Sequence, residues 1–179
     1  PATIAGVASL AGPHNAENAA AAAACLATLG LAEDEIAKGM ASFAGLPHRL
    51  QTVASHGGIS FVNDSKATNG VAAAKALAAF DNVYWIAGGE AKEDGLSEAA
   101  RETAKVAHAY LIGSAAQAFA AELDGIVETS LSGDLETATT SAFAERSAAT
   151  GTDGRHTTRR PSPAAASLDQ LPSFSAGGD

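Results

Sequence analysis

Two rhythms of apolar and polar positions divide this chain. Before residue 49 the pattern is helical. "HNAENAAAAAACLATLG" predicts a helix that ends at Gly30, with Asn15 or Asn18 available as its cap. "AEDEIAKGMASFAG" predicts a second helix with its acids in the first turn, where the helix dipole favours them. Arg49–Ser55 and Ile59–Asn63 read as two strands joined by a hairpin turn at "HGG". From there strands and helices alternate. "GVAAAKALAAF", "SEAARETAKVA", "SAAQAFAAEL" and "DLETATTSAFAERSA" are helical, and "NVYWIAGG", "AYLIG" and "IVETS" lie between them as strands. Such alternation predicts an α/β fold, a mainly parallel sheet with helices on both faces. Ligands of these sheets bind at the carboxyl ends of the strands. Residues 149–161, "ATGTDGRHTTRRP", break the rhythm: an apolar strand is due, and the segment holds three arginines and no Val, Ile or Leu.

Composition narrows the function. The 179 residues are 46% hydrophobic but only 5% aromatic, so the core rests on aliphatic and small side chains. A net charge of −9 argues against general nucleic-acid binding and against an anionic membrane surface. A small anionic ligand stays open, because a pocket can be locally basic. Cys25 is the single cysteine, which leaves no intrachain disulfide, points to a reducing cytoplasm and reads as a small core residue. No signal peptide or membrane span is legible. A start at Pro1 rather than Met suggests a fragment. The five histidines are scattered without metal-ligand spacing, and His56 and His108 read as surface or packing residues.

Chemistry-bearing residues gather in a few stretches. In "GPHNAEN", Asn15 and Asn18 are three apart at a helix start, where two carboxamides can read an adenine edge or simply cap the helix. "GLPHR" puts His48 and Arg49 after a proline turn, and a guanidinium there suits phosphate, ribose or base. "FVNDSKATN" runs from a strand directly into Asp64, Ser65, Lys66 and Thr68. A strand-to-helix junction leaves backbone N–H groups facing any anion in front of it, although a polar helix cap would look the same. "AGGEAK" has two glycines for close backbone approach, then Glu90 and Lys92. It lacks the G-x-x-x-x-G-K-[ST] spacing of a P-loop, and neither that motif nor G-x-G-x-x-G occurs in the chain.

Taken in order, "GPHNAEN", "GLPHR", "VNDSKATN", "IAGGEAK" and "SPAAASLDQLPSF" resemble the Mur ligase family, and "DSKATN" resembles its D-glutamate-adding branch. The resemblance covers nearly the whole chain from Gly12. It implies a Rossmann-like C-terminal domain over residues 48–179, with 149–161 atypical, preceded by the C-terminal end of the central ATPase domain over residues 1–47. It implies ATP-dependent joining of D-glutamate to UDP-N-acetylmuramoyl-L-alanine through an acyl-phosphate, in peptidoglycan synthesis in the cytoplasm. The implied partners are these small molecules, with no nucleic acid and no membrane span. Asn15, Asn18, His48, Arg49 and Asp64 match nucleotide-binding positions. Lys66 matches a catalytic lysine, and Thr68, Lys92, Ser167 and Phe174 match D-glutamate-binding positions. The P-loop and the carboxylates that hold Mg2+ are absent from this stretch, so the resemblance implies no metal ligands here and no activity by the chain alone.

The chain departs from the family in three places. Gly177 stands where an arginine is usual, Leu171 where a phenylalanine is usual, and "GRHTTRRP" where an apolar strand is usual. The alternative reading is a non-catalytic nucleotide-binding Rossmann module.

Overall fold

The computed structural model describes residues 7–90, 95–150 and 157–161. Two helices come first, α1 (Pro13–Thr28) and α2 (Glu33–Ala41). Gly12 occupies the position before α1 at φ +95° and Pro13 takes the first helical place, where its missing N–H costs nothing. Asn15 therefore lies inside the first turn, and its Nδ2 donates to the Ala11 carbonyl at 2.8 Å rather than capping the helix. At α2 the Glu35 carboxylate accepts the Ala32 N–H at 2.9 Å. Cys25 is exposed, not in a core. Only Ala19 of α1 is buried, because an alanine run marks no strong apolar face for packing.

The predicted hairpin is present as β1 (Gln51–His56) and β2 (Ile59–Asn63), antiparallel and turned by Gly57 and Gly58, both at positive φ. The alternation then gives α3 (Gly70–Ala78), β3 (Val83–Gly88), α4 (Ser97–Arg101), β4 (Val106–Ile112), α5 (Ala116–Leu123), β5 (Thr129–Gly133), α6 (Leu135–Thr150) and β6 (Thr157–Pro161). The strand order is β1-β2-β6-β3-β4-β5, parallel except for the β1–β2 pair. The fold is thus the α/β arrangement that the pattern predicts.

Three elements differ from the pattern, the first being β5, which runs Thr129–Gly133 rather than over "IVETS" at 126–130. Helix α4 is shorter than "SEAARETAKVA" suggests. A 3-10 turn at Thr103–Lys105 follows it, and Val106, β-branched and buried, already pairs with Val83 in the sheet. The atypical 149–161 segment does supply a strand. β6 fills the slot between β2 and β3, pairing Phe61 with Arg159 on one side and Tyr84 with Arg159 on the other. Ladder hydrogen bonds come from the backbone, so a polar sequence can still join two otherwise unpaired strand edges.

Alternate residues of β3 face opposite layers. Val83, Trp85 and Ala87 join Leu77, Leu96, Leu111, Phe119 and Leu123 in the larger core, beneath α3, α4 and α5. Tyr84 and Ile86 join Tyr110, Ile112, Ala138 and Ala142 in a smaller core beneath α6. On that second face His108 Nε2 lies 2.8 Å from Ser130 Oγ, and its ring stacks on Tyr110, which donates to Glu145. His108 is therefore the packing residue that the sequence suggests.

Asp134 caps α6, with Oδ1 accepting the Thr137 N–H at 2.7 Å. That bond holds the Asp134 carboxyl below its ordinary value of 3.8. A depressed carboxyl stabilises the fold above its ordinary value, and the contribution is lost as pH falls through the lower folded value. An NMR pH titration is expected to show the Thr137 amide shifting with a midpoint below 3.8; a midpoint above it contradicts the cap.

Candidate functional site

The site begins at a strained connection. His48 and Leu50 have φ of +60° and +46°, unusual for residues with side chains. Three hydrogen bonds hold this connection to the loop after β2. The Leu50 N–H donates to Asp64 Oδ1 at 2.9 Å, the Lys66 N–H donates to the His48 carbonyl at 3.1 Å, and Asn63 Nδ2 lies 3.1 Å from His48 Nδ1. Asn63 Oδ1 accepts the Ser65 N–H at 3.0 Å, which fixes the amide orientation and makes Nδ2 the donor toward His48. His48 Nδ1 is then the acceptor, so the ring proton belongs on Nε2. Asn63 and Asp64 are almost fully buried, at 1% and 4% exposure, so the network replaces water for both side chains.

Asn63→Ala leaves the Ser65 N–H and the inward side of His48 without their partner. A cost of about 1–3 kcal/mol is expected for that loss. Urea unfolding checks it, and an unchanged midpoint would show the network to be dispensable.

Beyond this network lies a cleft of about 530 Å³ between α1 and α3. Gly12 brings the start of α1 to the end of α3: a Cβ there would sit 2.9 Å from Ala79 Cβ. Asn18, Arg49, Asp64 and Lys66 all line the cleft, so four of the sequence candidates converge on one place. Asn15, His48 and Thr68 do not line it. Asn15 is turned to Ala11, and His48 supports the floor through Asn63. Thr68 is half-buried in the turn that leads to α3, where Asn69 Oδ1 caps the helix by accepting the Ala72 N–H at 2.8 Å. Lys92, Ser167 and Phe174 lie outside the described residues.

Three further titratable residues line the cleft: His14, Glu17 and Lys75. The signal for the first two was their spacing, since 14, 17 and 18 repeat as one helical face. Lys75 follows Val71 by four on α3 and shares its face. Counted at formal charge, Arg49, Lys66 and Lys75 against Glu17 and Asp64 give the lining 3 − 2 = +1 in a chain of −9. Local basicity of this kind suits an anionic ligand, and the buried Asp64 supplies an acceptor. Among the described residues there is no cluster of three or more His, Cys, Asp or Glu able to hold a metal.

The model for the Mur ligase glutamate ligase domain matches residues 48–152. The chain belongs to the Mur ligase family. A Mur ligase relative from Rhizobium meliloti, named UDP-N-acetylmuramoylalanine–D-glutamate ligase, is 50% identical over 98% of this chain. A Caulobacter vibrioides relative of the same name is 43% identical over 96% of it. The chain spans only 37% and 36% of these two proteins. Among solved structures, UDP-N-acetylmuramate–alanine ligase from Thermotoga maritima aligns over 86% of this chain and 35% of its own, with TM-score 0.59 and 14% identity. The bifunctional folylpolyglutamate synthase/dihydrofolate synthase from Yersinia pestis aligns over 87% and 35%, with TM-score 0.54 and 22% identity. At such low identity these two structures speak for the Mur ligase fold alone. No helix among the described residues is long and apolar enough to cross a membrane.

Proposed function

We propose that this chain forms the nucleotide- and amino-acid-binding part of an ATP-dependent ligase that joins D-glutamate to UDP-N-acetylmuramoyl-L-alanine in cytoplasmic peptidoglycan synthesis. The convergence of Asn18, Arg49, Asp64 and Lys66 on one cleft carries the reading. It is supported by the name that the 50% identical relative bears. Residues 1–47 are read as the end of the central ATPase domain and 48–179 as the C-terminal domain. Exposed Leu29, Leu31, Phe43 and Leu46, together with an apolar groove between α1 and α2, fit helices at the margin of a larger domain.

The roles are assigned from the resemblance to the family, and for Asn18, Arg49, Asp64 and Lys66 the shared cleft supports them. Asn18 offers a carboxamide to adenine from the α1 wall. Arg49 offers a bidentate guanidinium to ribose or phosphate. Asp64 keeps Oδ1 on the Leu50 N–H and is assigned to a ribose hydroxyl. His48 and Asn15 act from behind, holding the loop and the start of α1. Lys66 brings positive charge to the reacting groups. Thr68 and Lys92 are assigned to the side-chain carboxylate of D-glutamate, and Ser167 and Phe174 to the region of its α-carboxylate.

The reaction is acyl transfer driven by ATP. The terminal phosphoryl passes to the substrate carboxylate, the D-glutamate amine attacks the activated carbonyl, and phosphate leaves as the amide forms. Mg2+ ligands and the P-loop are assigned to the rest of the enzyme, so the chain alone is expected to be inactive.

Calorimetric titration separates this reading from a dinucleotide-binding module. ATP or D-glutamate binding supports the ligase, and NADH binding in their place overturns it. In the full-length enzyme, Lys92→Ala is expected to raise KM for D-glutamate about tenfold or more, the worth of one charge-assisted bond, with KM for ATP little changed. An equal rise in both would remove Lys92 from the amino-acid site.

A further inference from the structure

Glu122 lies on α5, outside the cleft, yet its carboxylate reaches across to the connection between β3 and α4. Glu122 Oε2 accepts the Leu96 N–H at 2.7 Å, a contact between residues 26 apart in sequence. The carboxylate also lies close beside Gly95. A Cβ at Gly95 would be 2.5 Å from Oε1 and 2.9 Å from Oε2, and Gly95 has φ +50°, a backbone conformation that favours glycine there. Leu96 is fully buried in the larger core, and its carbonyl accepts the Ala100 N–H at 2.8 Å to begin α4.

The Gly95–Leu96 stem in turn supports α3. A Cβ on Gly70, the first residue of α3, would stand 3.0 Å from the Gly95 carbonyl oxygen and 3.4 Å from the Leu96 carbonyl carbon. Gly70 directly follows Asn69, the α3 cap, and comes two residues after Thr68. A continuous line of contacts therefore runs from Glu122 through Gly95 and Leu96 to Gly70 and on to the Asn63–Asn69 loop.

We propose that Glu122 is a positioning residue for the amino-acid side of the site, seating the start of α3, and with it Thr68, through the Gly95–Leu96 stem. The inference rests on the proposed role of Thr68 toward D-glutamate.

Two measurements test it. Hydrogen exchange on the protein reads the contact line without reference to activity. Glu122→Ala is expected to speed exchange at Leu96 and across the first turn of α3, while Glu122→Gln, which keeps an acceptor oxygen, retains protection. Unchanged protection at the start of α3 in Glu122→Ala overturns the proposal whatever the enzyme does. In steady-state kinetics of the full-length enzyme, Glu122→Ala is expected to raise KM for D-glutamate about fivefold, the worth of one lost hydrogen bond, with KM for ATP unchanged and Glu122→Gln near wild type. Equal rises for both substrates, or no rescue by Gln, would reduce Glu122 to a general structural role. A wild-type enzyme that ignores D-glutamate while the exchange result holds would overturn the ligase assignment and leave the contact line standing.

Discussion

Gly88→Ala is expected to destabilise the protein by on the order of 2–6 kcal/mol, from overpacking and backbone strain together. Gly88 ends β3 opposite Ile112, and a Cβ there would fall 1.9 Å from the Ile112 carbonyl oxygen and 2.7 Å from its carbon. The obstacle is backbone in the middle of the sheet, so no side chain can swing aside. Its φ of +149° also lies where side-chain-bearing residues are strained. Relief requires β3 and β4 to part at their carboxyl ends. That would loosen the Gly89 N–H to Ile112 carbonyl bond and the Ala115 N–H to Gly89 carbonyl bond. Against an ordinary domain stability of about 5–15 kcal/mol, such a loss removes much of the folded population. Urea unfolding checks it: a clear fall in midpoint is expected, and a wild-type midpoint would show that the strands part easily. The same two bonds anchor the start of the "GGEAK" stretch, so a folded remnant is also expected to use D-glutamate poorly.

Lys66→Ala is expected to lower kcat of the full-length enzyme by about 10²–10³, the usual effect of removing one group that stabilises developing charge. The substitution is structurally mild. Lys66 is exposed, and the backbone N–H that donates to the His48 carbonyl survives in alanine. Stability is expected to move by no more than about 1 kcal/mol, the scale of an exposed charged contact. A kcat within tenfold of wild type would take Lys66 out of the reaction centre. Loss of stability together with activity would recast it as a scaffold residue.

The sequence pattern located most of this architecture because β3 and β4 are strongly apolar and bounded by turn residues. "NVYWIAGG" could be nothing but a buried strand, and the Gly57–Gly58 turn named its hairpin. Alanine-rich segments were less legible. Nothing in "AAAAAACLATLG" says which side faces inward, and Cys25 came out exposed. β6 was illegible for a different reason. It lies in the sheet between β2 and β3, where backbone pairing needs no apolar pattern in the sequence. At the cleft, Asn18, Arg49, Asp64 and Lys66 could be found from polar residues at strand ends and helix starts. Lys75 could not, since a lysine in an alanine-rich helix looks like any solvated residue until α1 is placed across from it. The buried network of His48, Asn63 and Asp64 was half visible. Sequence marks the residues as polar, but only geometry shows that they spend much of their hydrogen-bonding capacity on one another and on the backbone.

The most direct measurement is phosphate release by the purified full-length enzyme given ATP, Mg2+ and UDP-N-acetylmuramoyl-L-alanine, with and without D-glutamate. Release that depends on D-glutamate and matches amide product one for one is the result predicted here. Release that is indifferent to D-glutamate, or amide formation with another amino acid in its place, would contradict the assignment.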